Sequence, residues 1–417
     1  MRANLIPPSR QKVYYGWIIA VAALIIATTL LGIRVSFGVF FKSLEAEFAL
    51  SRAATSSVFS VYMVVYAVQA ALSGWALDRY GPRLVVSLMG LFTGLSLLIT
   101  SQITSLWQIF LTYSLILAIG TGGSMPVVTA LVSRWFNKKR GLALGIVSSG
   151  SGMGTLVMAP FAAFLIVNLG WRMSYVVLGL VAWLVVISAA MFLRRDPSQI
   201  GVLPDGAKMV AAPDFKVSET DSQLSGFSLS QAFRTRSFWQ LASVWFLFAF
   251  TLNMIVTHLV AHAMDKGISA IEASTVMGLA GGLSILAKLI AGPVSDRVGR
   301  KIPGIASSLV GAAALVWLVW AHNLWMLYVF AVLFGFAWGG VGVNIITMAS
   351  DIFGKRRIGT IMGTLEIGFS LGAAAGPALG GLMFDITGSY TLAFVAAVVA
   401  MLSVSLLLLF TRREANG

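Results

Sequence analysis

Twelve long apolar stretches, separated by short polar breaks, organise the chain. They lie near residues 15–41, 53–77, 84–102, 107–134, 142–168, 171–193, 238–264, 271–294, 302–321, 324–350, 359–384 and 388–411. About 20 apolar residues in a helix match the hydrocarbon core of a bilayer, so each stretch predicts one spanning helix. The expected fold is an all-α polytopic membrane protein with both termini on one side. Only residues 194–236 form a long polar segment, rich in Pro, Gly, Ser and Asp. That composition predicts a partly disordered cytoplasmic linker between a first six-helix bundle (1–193) and a second (237–417). The end of the linker, SLSQAFRTRSFW, reads as a short helix on the membrane surface.

Composition supports lipid as the solvent. Of 417 residues, 58% are hydrophobic and only 11% charged, against about a quarter charged in a globular domain. The 42 glycines suit close helix approach. There is no cysteine, which excludes disulfides and thiolate metal sites, and three histidines predict no metal centre. No cofactor is expected. A net charge of +14 could indicate nucleic acid, but the cations cluster in breaks between apolar runs. On the predicted topology 23 cations fall on one side and 4 on the other, with Arg34 and Lys288 inside spans. Positive loops stay cytoplasmic, which predicts cytoplasmic termini, and the expected location is a bacterial inner membrane. The basic N-terminus runs into the first apolar stretch with no small-residue cleavage site, and reads as a retained tail.

An internal repeat is visible at a constant offset of 218 residues. Gly74, Asp78, Arg79 and Gly81 map onto Gly292, Asp296, Arg297 and Gly299. Gly141, Gly145, Gly150 and Gly154 map onto Gly359, Gly363, Gly368 and Gly372. Two matches at one offset imply duplicated halves, with a substrate site at their interface near mid-membrane.

The segments GWALDRYGPR (74–83) and GPVSDRVGRK (292–301) resemble the loop motif of the major facilitator superfamily. The resemblance covers essentially the whole chain. It implies that Asp78, Arg79, Asp296 and Arg297 clamp helix ends and influence gating, while simple helix capping is compatible with the same residues. YYGW (14–17), KRGLALGIVSSGSGMG (139–154), RTRSFWQL (234–241) and GPALGGLMFDITGSY (376–390) are similar to the monocarboxylate transporter and oxalate/formate antiporter group. This likeness implies a small organic anion as substrate, moved with a proton or by exchange. Eukaryotic monocarboxylate transporters carry an Asp and, four residues on, an Arg in helix 8, where this chain has Ser284 and Lys288. Lysine lacks the guanidinium fork that matches a carboxylate.

Ionisable residues at membrane depth are costly and mark function by default. Lys288 lies eight residues before Asp296, about 12 Å from that helix end. It reads as a carboxylate anchor, with a structural ion pair as the blander alternative. Glu366, at similar depth, is either a proton-coupling site or the permanent counter-ion of Lys288. Arg34 either snorkels to the outer interface or attracts anions into the cavity. His258 and His262, one turn apart, read first as interfacial histidines and second as a gate or pH-sensitive contact. Tyr62, Tyr66 and Gln69 form one stripe, Asn253 with Thr257 another, and Asn344 with Thr347 a third. Each either faces substrate or joins helices. Trp338 walls the cavity or packs in the core. The glycine rows of helices 5 and 11 read as close-packing faces, not as a phosphate loop.

There is no HExxH, no GxSxG and no carboxylate pair at membrane depth, which argues against an enzyme. Duplication around one site favours alternating access over a channel. The expected function is secondary active transport of a small monocarboxylate by a monomer in lipid, with proton symport as the first reading. Anion exchange or facilitated transport of another solute is the alternative.

Overall fold

The computed structural model describes residues 14–137, 139–206, 227–354 and 358–411. Helix α1 spans Tyr15–Phe48, α2 Arg52–Tyr80, α3 Pro82–Thr100 and α4 Leu106–Trp135. The next helical stretch, Arg140–Met191, has 52 residues, far more than the roughly 20 that one crossing needs. It turns at Gly170 (φ 77°, ψ 162°), a conformation open chiefly to glycine. The arms before and after this turn are α5 and α6. The second half has α7 (Arg236–Asp265), α8 (Ala270–Val298), α9 (Lys301–Trp320), α10 (Leu324–Phe353), α11 (Ile358–Thr387) and α12 (Thr391–Phe410). The described chain thus makes the twelve expected crossings.

Local chemistry sets many ends. Ser51, Thr235 and Ser269 accept a backbone N–H at the starts of α2, α7 and α8. The repeated glycines Gly81 and Gly299 end α2 and α8 at φ 84° and 90°, which explains why the motif needs glycine at both places. The short helix expected ahead of α7 is Leu229–Phe233, closed by a Ser228–Gln231 capping box. Residues 207–226 of the linker lie outside the described residues, as do the cations within 1–13, Lys138, 355–357 and 412–417.

Helix α1 runs seven residues beyond the predicted end at 41. Lys42, Glu45 and Glu47 interrupt the apolar pattern, but each is paired. Lys42 meets Asp265 at 2.6 Å, Glu45 meets Arg52 at 2.9 Å and Glu47 meets Arg172 at 2.9 Å.

The glycine rows are packing faces, as the pattern predicted. A Cβ at Gly154 of α5 would stand 2.5 Å from the Thr28 carbonyl of α1, and one at Gly152 would stand 2.5 Å from the Gly281 carbonyl of α8. In α11, Gly372 and Gly376 lie against the Phe246 and Phe250 carbonyls of α7, and Gly381 against the Arg52 carbonyl of α2. The halves therefore meet along α5–α8 and α2–α11. At the other ends of these four helices, a Cβ at Gly74, Gly145, Gly292 or Gly363 would meet nothing within 4 Å. The halves are closed at the Arg52 end and parted at the Gly74 end.

This contrast predicts that Gly372→Val is destabilising and Gly363→Val is not. Overpacking costs about 1–3 kcal/mol, and here the obstacle is backbone that cannot rotate away. Thermal unfolding of the detergent-solubilised variants checks it, and equal midpoints would contradict the packing.

Candidate functional site

Four helices bring polar groups to the space between the halves. Arg34 stands nineteen residues from Tyr15 and fourteen from Phe48, about 28 Å and 21 Å along α1. Its guanidinium carbon lies 5.6 Å from the centre of the Tyr66 ring. Its Nε is enclosed and has no hydrogen-bond partner among the described residues. The extension of α1 to Phe48 leaves Arg34 too deep to reach the outer interface, so the snorkelling alternative is not the arrangement found. Tyr62 shares a 2.5 Å hydrogen bond with Thr121 of α4.

Across the gap, Glu366 of α11 accepts a 2.9 Å hydrogen bond from the Trp245 indole N–H of α7. Glu366 sits deep among the helices, yet its surface is accessible. A side chain can be both only by lining an open cavity. Arg34 lies within electrostatic reach of Glu366 and beside the half-buried Tyr66, while Tyr62 and Tyr113 pack beyond Tyr66 in the core, 0% and 1% exposed. Trp245 stacks on Phe248 at 5.7 Å and tilts against Phe369 at 5.0 Å, giving the cavity an apolar second wall.

Lys288 is elsewhere. Its Nζ donates to Ser151 Oγ at 2.9 Å and to the Ser148 carbonyl at 3.5 Å, joining α8 to α5 across the halves. No ion pair joins it to Glu366 among the described residues. Duplication explains this. At an offset of 218, Ser148 is the counterpart of Glu366. A side chain on α8 reaches the α5 position that corresponds to Glu366 on α11. Lys288 and Glu366 therefore belong to opposite interfaces, α5–α8 and α2–α11. The role of Glu366 as permanent counter-ion of Lys288 has no contact behind it among the described residues.

The closed end is held by a latch that the sequence reading missed. Arg52 is 3% exposed. Its Nε donates to Glu45 at 2.9 Å, Nη2 to Asp265 of α7 at 2.9 Å, and Nη1 to the Tyr390 hydroxyl at 2.5 Å. The guanidinium also lies 4.2 Å from the Phe384 ring centre. Asp385 of α11 accepts from the Arg52 and Ala53 backbone N–H groups at 2.9 and 2.8 Å, capping α2 from the other half. His258 joins the same cluster. One ring nitrogen lies 2.9 Å from the Pro377 carbonyl and the other 3.1 Å from Tyr390 Oη. A carbonyl only accepts, so Nε2 donates there, and neutral Nδ1 accepts from the tyrosine. His258 is fully buried, not interfacial. His262 is 7% exposed and packs edge-on to Phe394, and its Nε2 has no hydrogen-bond partner among the described residues.

The remaining predicted residues are dispersed. Asp78 pairs with Arg134 of α4 at 2.6 Å, and Arg79 lies over the Trp75 and Tyr80 rings. Both contacts stay within the first half. Arg297 is exposed at the end of α8, and the Asp296 side chain lies outside the described residues. Asn344 is buried against Gly304 of α9, with its amide donating to the Gly340 carbonyl. It faces a helix of its own half and not the cavity. Asn253 is buried and donates back to Ala249, while Trp338 is 9% exposed on α10.

Residues 17–289 and 262–417 match the family model described as Major Facilitator Superfamily. Monocarboxylate transporter 12-B of Danio rerio is 25% identical over 98% of this chain and 88% of its own length. Monocarboxylate transporter 12 of Homo sapiens is 26% identical over 95% and 80%, and monocarboxylate transporter 4 of Mus musculus 25% over 95% and 83%. Among solved structures, a bacterial homolog to the human lysosomal transporter Spinster, inward-facing and unoccupied, aligns with a TM-score of 0.72 at 18% identity. It covers 96% of this chain and 95% of that one. That likeness is one of fold.

Proposed function

Because the chain belongs to the Major Facilitator Superfamily and is a membrane transporter, not an enzyme, we propose that it carries a small monocarboxylate by alternating access. The observation that carries this reading is the enclosed, unpartnered Nε of Arg34 in a cavity shared with Glu366. An arginine whose enclosed Nε has no hydrogen-bond partner among the described residues offers a charged donor to an anion. The substrate carboxylate docks on Arg34 beside Tyr66, with Tyr62 packed behind it, and its body lies toward Trp245 and Phe369. Monocarboxylate transporters among the relatives support the substrate class.

Glu366 carries the coupled proton. While the cavity is empty, Arg34 compensates its negative charge. A substrate anion on Arg34 removes that compensation, and Glu366 then binds a proton. The loaded cavity gains no net charge, which eases its passage through the low-dielectric state between openings. Lys288 ties α8 to α5 through Ser151. The bias of basic residues in the sequence supports cytoplasmic termini and a cytoplasmic Gly74 end, which makes the arrangement inward-open. The membrane is a bacterial inner membrane and the unit a monomer.

Uptake of labelled carboxylates into proteoliposomes, with and without an imposed pH gradient, tests the assignment. Indifference to every carboxylate would overturn it. Glu366→Gln should abolish gradient-driven accumulation while exchange of labelled for unlabelled substrate persists. Unchanged proton-driven uptake in this variant would sink the coupling role. It would favour the second reading, anion exchange, which the two interior cations Arg34 and Lys288 also suit.

A further inference from the structure

Each half has a groove on its outer flank, and the two are related by the same offset of 218. In the first half it lies between α2, α3 and α4 and encloses about 180 Å³. In the second it lies between α8, α9 and α10 and encloses about 490 Å³. The difference is written in five pairs of positions that go from large to small. Tyr80, Leu88, Met89, Phe92 and Ile119 fill the first groove, where the second has Val298, Ala306, Ser307, Val310 and Ala337. The second groove is apolar nearly throughout, and Val298 is 54% exposed at its mouth. Ile290, Val294 and Ile302 of its lining are exposed as well.

The charges at the mouths differ in the same direction. In the first half, Arg79 lies over Trp75 and Tyr80, and Arg83 donates to the Met191 carbonyl. Their counterparts are Arg297 and Lys301, beside Val298 and Ile302. Neither makes a hydrogen bond, ion pair or ring contact with another described residue, and the nearby acid Asp351 is taken by Arg300 at 3.1 Å. A wide apolar trough with two cations adjoining Val298 and Ile302 of its lining, neither paired among the described residues, is complementary to a lipid with an anionic headgroup.

We propose that this groove is a specific site for an anionic phospholipid, one acyl chain lying between α8, α9 and α10 and the phosphate at Arg297 and Lys301. The occupant replaces the side chains that fill the equivalent space in the first half. It supports α8, the helix that carries Lys288, without entering the transport path.

The test is retention of phosphatidylglycerol against phosphatidylcholine of the same chains, read by native mass spectrometry of the delipidated, detergent-solubilised protein. Phosphatidylglycerol should bind roughly tenfold or more tighter, given about 1 kcal/mol per cation near a lipid surface. The double variant S307M/V310F borrows the residues of the first half and should lose the bound lipid. V298Y, borrowed likewise, is the independent check should the double variant misfold. R297Q/K301Q should keep an acyl chain but bind the two headgroups equally. Equal retention of both lipids by the natural protein, unchanged retention in the filled-groove variants, or a co-purifying membrane protein in place of lipid would each overturn the proposal.

Discussion

Arg34→Gln is expected to abolish concentrative uptake while leaving the protein folded. A charge-assisted contact to a buried guanidinium, removed on one side, costs about 2–5 kcal/mol, or roughly 30- to 3000-fold in apparent affinity at 1.4 kcal/mol per tenfold. Stability should change little: the Nε of Arg34 has no hydrogen-bond partner among the described residues to orphan, and Glu366, left without the compensating charge, can take up a proton instead. Arg34→Lys keeps the charge and loses the fork, so its affinity should fall between the two. Substrate binding by tryptophan fluorescence, with transport in proteoliposomes, measures this. Natural affinity in Arg34→Gln would move the anchor to Lys288, whose Nζ already has Ser151.

The second large effect is conformational. Arg52→Gln should release the closed end and shift the resting population toward opening on that side. The latch spans the halves through Asp265 and Tyr390, and it exists only while they are together. Breaking a buried ion pair costs about 3–5 kcal/mol. Glu45 and Asp265 are 22% and 26% exposed, which puts the expected cost at or below the low end of that range. Even about 3 kcal/mol shifts a two-state population more than a hundredfold. The chain has no cysteine, so Ser60→Cys gives a background-free reporter. Ser60 lies on the α2 face toward α11 and is 8% exposed. A membrane-impermeant maleimide applied at the Arg52 side should label it at least tenfold faster in the Arg52→Gln background. Identical labelling rates would discard the latch. His258 should act in the same sense at low pH. A proton on Nδ1 would turn the acceptor of the Tyr390 bond into a donor and add a cation beside Arg52.

The outcome for individual residues shows where one-dimensional reasoning stops. Gly81 and Gly299 were legible as equivalent positions of the repeat, and the structure adds the reason for glycine there, a positive φ at both helix ends. The glycine rows of α5 and α11 were legible as close-packing faces for a related reason, since small residues at helical spacing serve few other ends. Arg52 was not legible. Its partners Asp265 and Tyr390 are 213 and 338 residues away, and nothing along the chain pairs them. Its only local sign is a cation one residue after the helix cap Ser51, on the side otherwise poor in cations. Lys288 and Glu366 misled in the opposite way. Equal depth suggested a pair, but depth fixes one coordinate of three, and the other two put them on separate interfaces.

Hydrophobic run length, the bias of cations and the offset of 218 were sufficient for twelve crossings in two equivalent halves. Those features depend on transfer of each helix from water to lipid, a property of composition that needs no partner. Which charges share a cavity was decided by how the two halves dock. The close approach of α5 to α8 gives Lys288 to Ser151, and the packing of α7 on α11 gives Glu366 to Trp245. Side-chain partners at mid-membrane follow from the rotation and approach of packed helices, set jointly by residues hundreds of positions apart. Only the folded chain brings those to one place.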